Sequence, residues 1–338
     1  MWRRIWTYQY RISIVVTPHG SLGQTLLTRT IFACGCIANL SGDRSLKLLM
    51  TLLVRDESDI IRENIEYHLA HGVDYIIATD NGSMDGTRDV LAEYERRGVV
   101  RVIDEPEHTF AQAQWVTRMA HMARDDFGAD WILNNDADEF WMPPSGNLKD
   151  CLVSTAANVL VCRRRNMVYA YDDEASGPWH QRIVHRIATP HPMEFRADPL
   201  HDVLPCPLYY QNIAPKVMTR ATGLVAVTQG NHSARYEGRA AREESEIAIY
   251  HFPVRSVDLF HEKILKGGAA YAANPPVHEG VGWHWRRWHR MILEDKFDQV
   301  LEEVLPSAAR LRADEASATV IRDFTIQTYF RANSLVAG

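Results

Sequence analysis

The hydrophobic pattern of the chain becomes regular at Leu46, where short apolar runs begin to alternate with amphipathic segments. Short apolar runs bounded by polar or glycine positions are typical of buried strands, and apolar residues spaced three or four apart are typical of helices. The pattern predicts strands at 48–54, 75–79, 99–103 and 131–135. It predicts helices at 59–71 and 110–126, and between them a helix that follows the second strand and ends at Arg97. This alternation predicts a parallel sheet with right-handed crossovers.

The pattern is looser after residue 140. Residues 159–163 predict another strand, and the proline-rich stretch that follows predicts irregular connections and short antiparallel strands. Helical spacing returns at 257–272, 285–305 and 316–330. We predict a first half (46–165) with the alternating strands and helices typical of nucleotide-type folds and a mixed second half (166–256) that share one sheet, followed by a helical region (257–338).

Composition and charge limit the classes of protein to consider. The 338 residues are 46% hydrophobic and 24% charged, as in ordinary globular proteins, and the net charge of -6 argues against general nucleic-acid binding. The five cysteines form no Cys-x-x-Cys pair, which favours reduced thiols in a cytoplasmic protein.

Residues 1–45 differ from the rest because they carry five arginines against the single acid Asp43. Their apolar pieces are short and interrupted by proline and glycine, so no transmembrane span is predicted. We predict a basic extension that need not be ordered, and its charge is compatible with peripheral contact at the inner membrane surface. An upstream mistranslated start is the competing explanation.

Two acids follow the fourth predicted strand directly. Side chains of a strand alternate between its faces, so Asp136 and Asp138 are predicted to point the same way at the carboxyl edge of the sheet. Two carboxylates suit Mg²⁺ or Mn²⁺, which one or two acids commonly hold together with substrate phosphates. Acids that follow a strand are also common solvated loop residues, so the pair alone is a weak signal.

Three motifs lie behind successive predicted strands: Arg55-Asp56-Glu57, Asp80-Asn81-Gly82-Ser83-x-Asp85-Gly86-Thr87 and Asp136-Ala137-Asp138-Glu139-Phe140. Together they resemble the successive motifs of glycosyltransferase family two. The similarity is greatest to a bacterial subgroup with the Asp-Asn-Gly-Ser-x-Asp-Gly-Thr turn, and it covers residues 47–140. The later Gly230-Asn231-His232 and 251–256 are also similar, less specifically. Asn81 stands where a second aspartate is usual in the family, which puts in doubt any role there that needs a charge.

The resemblance implies an α/β GT-A fold, with a mostly parallel Rossmann-like sheet flanked by helices, a mixed second half and C-terminal helices. It implies a nucleotide-diphosphate sugar as donor, a divalent metal and a glycan or lipid-linked acceptor. Asp80 would meet the base, Glu57 the ribose, and Asp136 the ribose and the waters on the metal, while Asp138 would bind the metal. The set implied for donor binding is Arg55, Glu57, Asp80, Asn81, Ser83, Asp85 and Asp136.

Further residues are candidates for the chemistry itself. A neutral imidazole can join carboxylates on Mn²⁺, so His251 and His232 are candidate third ligands, and each is otherwise an ordinary hydrogen-bonded histidine. Lys216 and Arg255 could neutralise phosphate oxygens or serve as structural cations. Inverting transfer, which the resemblance implies, needs a base for the acceptor hydroxyl. Asp198 and Asp202 are the leading candidates, with Glu139 and Glu194 behind them.

The segment 282–289 is rich in tryptophan and arginine, which suits contact with sugar or phosphate. The spacing of Trp285 and Trp288 instead favours a helix that turns both indoles to the core and its arginines to water. Gly267 and Gly268 favour close helix packing or a hinge.

Two other functions stay open. One is a different metal-assisted phosphoryl or nucleotidyl transfer; a phosphatase that uses Asp136 as nucleophile would need its acid pair after the first strand. The other is a degenerate domain that binds a nucleotide sugar or glycan without turnover.

Overall fold

The central strands of the sheet that carries the predicted acids, which end at those acids, are mostly apolar and buried on both faces. The computed structural model describes residues 45–106, 111–173, 177–193, 198, 200–272 and 282–333; the predicted basic extension, up to Arg44, and Glu194 lie outside them. The strands are β1 (Leu48–Val54), β2 (Tyr75–Asp80), β3 (Val100–Asp104), β4 (Trp131–Asp136), β5 (Glu139–Met142), β6 (Val159–Val168), β7 (His185–Ile187), β8 (Lys216–Arg220), β9 (Leu224–Val227), β10 (Ala234–Tyr236), β11 (Arg242–His251) and β12 (Val320–Arg322).

Helices cover this sheet and form the end of the chain. They are α1 (Ile61–Ala70), α2 (Thr87–Arg96), α3 (Gln112–Asp125), the short α4 (Trp179–Arg182), α5 (Val257–Ala272), α6 (Trp283–Leu293), α7 (Phe297–Val304), α8 (Ala308–Ala316) and α9 (Thr325–Ala332). Short 3-10 turns occur at Leu148–Cys151, Leu208–Tyr210 and Gln229–Asn231.

The main sheet runs in the order β12-β7-β6-β8-β4-β1-β2-β3. The β4-β1-β2-β3 part is parallel, whereas β8 is antiparallel to both β4 and β6. Strand β11 runs parallel to β6 and antiparallel to β5. The predicted α/β fold class, a mostly parallel sheet flanked by helices with a mixed second half, is confirmed.

Strand β1 illustrates why the apolar runs form central strands. Leu48, Met50 and Leu52 face one cluster of buried side chains that includes Ile65 of α1, and Leu49 faces another that includes residues of α3. Because each fully buried leucine or methionine contributes roughly 1.5–3 kcal/mol, a strand covered on both sides must be apolar at nearly every position. The one polar residue of β1, Thr51, is also buried and donates to Asn134 Oδ1 of β4 at 2.9 Å.

Two predicted helices differ from the observed elements. The segment 285–305 forms α6 and α7, which are separated at Asp295, where the backbone is left-handed with a φ of 57°. The segment 316–330 contains β12 and α9, and β12 pairs antiparallel with β7. Val320 and Ile321 are β-branched and fit a strand better than a helix. The prediction that these two residues belong to a helix was therefore wrong.

The predicted boundary at 165/166 falls inside β6. This strand is continuous from Val159 to Val168, and β11 pairs with it on both sides of that point. The described residues from Ser45 onward form one compact unit.

Helices α5 and α6 pack at very close range. A side chain at Gly267 would overlap the ring of Trp285, and one at Gly268 would overlap the Cβ of His289. The close packing predicted for these glycines is present. Trp288 is buried, as predicted, but Arg287 is also buried and pairs with Glu303, so the expectation that the arginines of this segment face water was wrong for Arg287.

Candidate functional site

The candidate site lies where β1, β2 and β4 end at the same edge of the sheet. These strands are adjacent and parallel, with Val54 opposite Asp80 and Leu53 opposite Asp136. The segments that follow them therefore meet outside the carboxyl ends of the strands, where open α/β sheets bind ligands. The three acidic motifs of the sequence share this edge.

The first two motifs are joined by hydrogen bonds between their turns. Ser83 Oγ accepts a bond from the Asp56 amide at 3.0 Å, and Asp85 Oδ2 accepts one from the Ser58 amide at 2.9 Å. Asp85 Oδ1 also accepts bonds from the amide and hydroxyl of Thr87 at the start of α2. Burial alone would raise the pKa of Asp85, but these bonds lower it below its usual value. Ser83 and Asp85 thus support the site by fixing its backbone.

Asp80 presents a buried acceptor to this edge. Its Oδ2 accepts a bond from the Ser83 amide at 3.2 Å, whereas its Oδ1 is buried and has no hydrogen-bond partner within the described ranges. The Nε of Arg55, at the end of β1, is likewise buried and has no hydrogen-bond acceptor among the described residues. Unpaired buried polar atoms are costly, so they are suited to a ligand that supplies the complementary group. Asn81, by contrast, donates to the Glu105 carbonyl at 3.0 Å and anchors β3 to the turn.

Glu57 and Asp59 are held by Arg255. The guanidinium donates from Nε and Nη2 to the two oxygens of Asp59, at 2.6 and 2.9 Å, and Nη2 also contacts Glu57 Oε2. Arg255 is buried, and the two acids raise its pKa despite the opposing effect of burial. Of the two roles weighed for Arg255, the contacts favour the structural one, because its fork is already filled by carboxylates.

Lys263 of α5 bridges two of the motifs. Its Nζ lies 2.9 Å from Glu57 Oε1 and 3.3 Å from Asp138 Oδ2. Burial alone would lower the pKa of Lys263, but Glu57 and Asp138 raise it, so the amine is an ammonium. A side-chain cation thus stands beside the acid that was predicted to bind a metal.

Asp138 follows β4, as predicted, and lies in the turn between β4 and β5, so the alternation of strand side chains does not set the direction of its carboxylate. Burial alone would raise its pKa, but Lys263 and neighbouring cations lower it, so Asp138 is a carboxylate. Its Oδ1 lies 3.8 Å from Nε2 of His251. Sequence positions 138 and 251 are therefore neighbours in the site.

His251 is arranged as a metal ligand would be. Its Nδ1 donates to Asn166 Oδ1 at 2.9 Å, and the Asn166 amide donates in turn to the Tyr209 carbonyl at 2.8 Å, which fixes the orientation of that amide. Burial lowers the pKa of His251 well below its usual value, so the ring is neutral and Nε2 carries a lone pair. A second residue that orients a ligating histidine in this way is common at metal sites.

Asp136 has its own partners. Its Oδ2 contacts Nζ of the buried Lys216, and its Oδ1 accepts a bond from Asn231 at 3.1 Å. His232, next in sequence, donates from Nδ1 to the Pro215 carbonyl at 2.8 Å and packs against Gly230. Burial, Lys216 and Arg164 lower the pKa of His232 to about 4. His232 is thus neutral, and its ring lies on the Asp136 side of the site.

Glu139 is fully buried between two cations. One carboxylate oxygen lies 3.4 Å from Lys216 Nζ and 3.5 Å from an Nη of Arg164, and neither oxygen accepts a hydrogen bond from the described part of the chain. Burial raises the pKa of Glu139 to about 7, helped by the nearby aspartates and opposed by Lys216 and Arg164.

Asp198 and Asp202 lie in an exposed turn of the proline-rich segment. Asp198 accepts a bond from His201 at 2.8 Å, and Asp202 accepts one from the Asp198 amide at 3.0 Å. The His201 bond is the main cause that lowers the pKa of Asp198. Arg290 of α6 holds the turn through His201 and the Leu200 carbonyl. Their contacts are local, and their role as base stays a prediction.

Three residues of this site were missed by the sequence reasoning: Lys263, Asn166 and Arg164. Nothing in the helical pattern of 257–272 distinguishes Lys263 from Lys266, and nothing marks Asn166 within a strand. Arg164 had a signal. Three successive arginines in a strand cannot all face solvent, because alternate side chains point to opposite faces.

The metal prediction can be tested against the donor atoms. No group of three or more His, Cys, Asp or Glu side chains that could hold a metal occurs within the described ranges. Asp138 and His251 supply two donor atoms, 3.8 Å apart, and two ligands of one ion are commonly separated by about 3–4 Å at the usual bond lengths. This pair fits a cation whose remaining ligands are waters and substrate phosphates.

A comparison with protein families matches one segment of this chain. A model of glycosyltransferase family 92 matches residues 50–159, which contain Glu57, Asp80, Asp136, Asp138 and Glu139. The match supports a glycosyltransferase, as the sequence motifs predicted, while the assignment to family two stays a prediction. No curated protein sequence matches the chain significantly.

Solved structures give weaker similarities. Residues 1–349 of S. aureus TarS are 13% identical, with 85% of this chain and 92% of that chain covered at a TM-score of 0.37. The same fragment in complex with UDP-GlcNAc is 12% identical over the same shares, at 0.33. Glucosyl-3-phosphoglycerate synthase from Mycobacterium tuberculosis, in complex with Mn²⁺, UDP and glucosyl-3-phosphoglycerate, is 17% identical over 36% of this chain and 46% of that chain, at 0.28.

No helix of the described residues is both long enough and apolar enough to cross a membrane.

Proposed function

We propose that this protein is a metal-dependent glycosyltransferase that moves a sugar from a nucleotide-diphosphate donor to a glycan or lipid-linked acceptor with inversion. The observation that carries the proposal is the meeting of Glu57, Asp80 and Asp138 at one sheet edge, within the segment that the family 92 model matches. A cytoplasmic location and the family-two assignment belong to the same proposal and rest on the sequence.

The donor's nucleoside fits the end of β2. The unpaired, buried Oδ1 of Asp80 can accept a bond from an N–H group of the base. Glu57 Oε1, which now faces Lys263, can accept a bond from a ribose hydroxyl. The bonds of Ser83 and Asp85 hold both acids in place, so these two residues act on the donor through the backbone.

Asp138 and His251 would hold the divalent cation, and Asn166 would keep Nε2 of His251 directed at it. A bound divalent cation stabilises the negative charge that develops on a departing diphosphate. The chain's own cations add to this effect, because Lys263 reaches the same edge from α5. Asp136, whose side chain is 30% exposed, would meet the ribose and the waters of the site.

Inversion requires one displacement. The acceptor oxygen bonds to the anomeric carbon, the carbon–oxygen bond to the diphosphate breaks with its electron pair on the diphosphate, and the acceptor proton passes to a carboxylate. Glu139 is fully buried between Lys216 and Arg164, so in this proposal it positions Lys216 and does not act as the base. We therefore assign the base to Asp198 or Asp202, which are accessible.

Thermal unfolding with nucleotide tests the donor site. A ligand that binds the folded chain at 100 times its Kd stabilises it by about 2.7 kcal/mol. We expect UDP or GDP to raise the Tm of the wild type, more so with Mn²⁺, and the Mn²⁺-dependent part to be lost in Asp138→Ala. Asp125→Ala is the control, because Asp125 is an exposed acid at the end of α3.

Donor hydrolysis measured on the same samples separates an enzyme from a binding domain. Slow release of sugar that depends on Mn²⁺ supports the transferase. A Tm that rises equally in the wild type and Asp138→Ala would overturn the assignment of the metal to Asp138. The absence of any nucleotide effect would overturn the proposed function.

A further inference from the structure

Lys263 is placed differently from the other cations of the site. Its ammonium lies between Glu57 and Asp138, yet its side chain is 31% exposed, so it stands at the solvent side of the acids that it pairs. Lys216, by comparison, is 2% exposed and is enclosed by Asp136 and Glu139. Arg255 is buried with its fork on Asp59 and Glu57. Of these three cations, only Lys263 has both a flexible stem and a partly exposed side chain.

The two oxygens of Asp138 face different partners. Oδ1 lies 3.8 Å from His251, and Oδ2 lies 3.3 Å from Nζ of Lys263. A divalent ion held by Asp138 and His251 would therefore sit close to the ammonium of Lys263. Two cations at one carboxylate repel each other, and the repulsion is strong where water is partly excluded. Occupation of the site by metal and by Lys263 is thus in competition.

Binding of the proposed donor would remove both partners of Lys263. Glu57 would turn to the ribose and Asp138 to the cation, while the donor brings a diphosphate whose oxygens accept charge-assisted bonds. The backbone of α5 is held by its close contact with α6 at Gly268 and His289, so only the side chain of Lys263 has to move.

We propose that Lys263 is an internal counter-ion of the donor site. In the donor-free chain its ammonium neutralises Glu57 and Asp138 and competes with the divalent cation for Asp138. When cation and donor bind, the ammonium transfers to the diphosphate of the donor. The proposal rests on the proposed function. It adds a residue whose ammonium lowers the affinity for the metal and raises the affinity for the nucleotide.

Lys266 provides a matched control on the same helix. It follows Lys263 by three residues and pairs with Asp56 and Glu262, so its replacement removes the same charge without touching Asp138. Lys263→Met and Lys266→Met are compared with the wild type, and Lys263→Gln is a second variant with a polar side chain. Thermal unfolding identifies the variants that fold.

Two affinities are measured: that for Mn²⁺ without nucleotide, by the electron paramagnetic resonance signal of free Mn²⁺, and that for UDP at saturating Mn²⁺, by calorimetry. Since one charge-assisted hydrogen bond is worth about tenfold in affinity, we expect Lys263→Met to bind UDP about tenfold more weakly. The same variant should bind Mn²⁺ at least about threefold more tightly, because a competing charge is gone. Lys266→Met should change both affinities less than about twofold.

The sign of the two changes decides the proposal. Loss of both affinities in Lys263→Met and Lys263→Gln would mean that Lys263 only supports the structure, and it would overturn the proposal. The proposal would also be overturned if Lys263→Met bound Mn²⁺ and UDP with the same affinities as Lys266→Met. If the wild type binds both ligands, the proposed function would still stand in that case. A wild type that binds no UDP or GDP would overturn the proposed function and this proposal with it.

Discussion

Arg255 and Asp59 meet through two parallel hydrogen bonds, from Nε and Nη2 to the two carboxylate oxygens, although 196 residues separate them in the sequence. Arg255 also contacts Glu57, so one guanidinium joins the segment after β11 to the turn after β1. This geometry is that of a bidentate arginine–carboxylate pair, which lysine cannot reproduce.

We predict that Arg255→Met destabilises the fold by about 3–5 kcal/mol, because it leaves two carboxylates in a largely buried place without their partner. Urea unfolding measures the change. Arg255→Lys should recover only part of the lost stability, since a lysine ammonium cannot bond both oxygens of Asp59 and also contact Glu57.

The double variant Arg255→Met/Asp59→Asn is the control for this prediction. Removal of the second charge should restore about 1–3 kcal/mol, because the cost comes from the unpaired acid. A loss below about 1 kcal/mol in Arg255→Met would contradict a structural role for the pair.

Asn166→Ala is predicted to weaken Mn²⁺ binding about 10- to 100-fold, as is typical when the residue that orients a ligating histidine is lost. The reason is the bond from His251 Nδ1 to Asn166 Oδ1, which keeps Nε2 directed at Asp138. Titration of Mn²⁺ in the presence of UDP measures the effect.

Asn158→Ala is its matched control, because Asn158 precedes the same strand and its side chain accepts a bond from the Ala241 amide, at the other end of β6. If Asn166→Ala and Asn158→Ala bound Mn²⁺ with equal affinity, His251 would not be a ligand of the metal.

Gly268→Ala is predicted to destabilise the protein by about 1–3 kcal/mol, since a Cβ there would overlap that of His289 and force α5 and α6 apart. Helix propensity alone predicts that Gly268→Ala stabilises the protein, because alanine is favoured over glycine by about 1 kcal/mol in a helix. Chemical unfolding decides between the two effects.

The exposed neighbour Ala269 gives the reference value. Ala269→Gly should cost about 1 kcal/mol through propensity alone. If Gly268→Ala stabilised the protein, the close helix contact would not be a constraint.

His68 is predicted to make the fold sensitive to acid. It is fully buried, donates from Nδ1 to the Asn64 carbonyl and accepts at Nε2 from the Trp141 amide, so it folds as the neutral ring. Burial lowers the pKa of His68 to about 3. Its contribution to stability is thus complete above the unfolded pKa near 6.5 and is lost as the pH falls towards 3.

The free energy of unfolding should fall by up to about 1.4 kcal/mol per pH unit in that window because of this one group. His68→Gln should show a flatter slope than the wild type, whatever its absolute stability. His191→Gln, at an exposed position, should keep the wild-type slope. Equal slopes for all three proteins would show that His68 is not the group responsible.

The sequence predicted those features that depend on local pattern. Strands β1, β2 and β4 follow from continuous apolar runs, and the shared edge of Glu57, Asp80 and Asp138 follows from their positions behind adjacent parallel strands. The type of element was misjudged at Val320 and Ile321, where a short apolar run fits either period.

The partners of the acids could not be predicted in the same way. Lys263 lies 206 residues from Glu57 and 125 from Asp138, and no periodicity relates positions so far apart. Which lysine of a helix turns inward is decided by packing of the whole helix, here the contact of α5 with α6. His251 could be named as a candidate from imidazole chemistry and from the resemblance, but its alignment depends on Asn166 in another strand.

The acids of the site come from residues 57–139 and their cations from residues 164–263. During synthesis the acidic portion leaves the ribosome first, and its counter-charges follow in the order Arg164, Lys216, Arg255 and Lys263. A truncated chain that stops at β5 would hold these carboxylates around Asp138 without the cations that pair with them, and the region matched by the family model, residues 50–159, lacks the same four cations. Any hybrid that joins this first portion to the second portion of a relative must therefore carry over the whole set of basic residues.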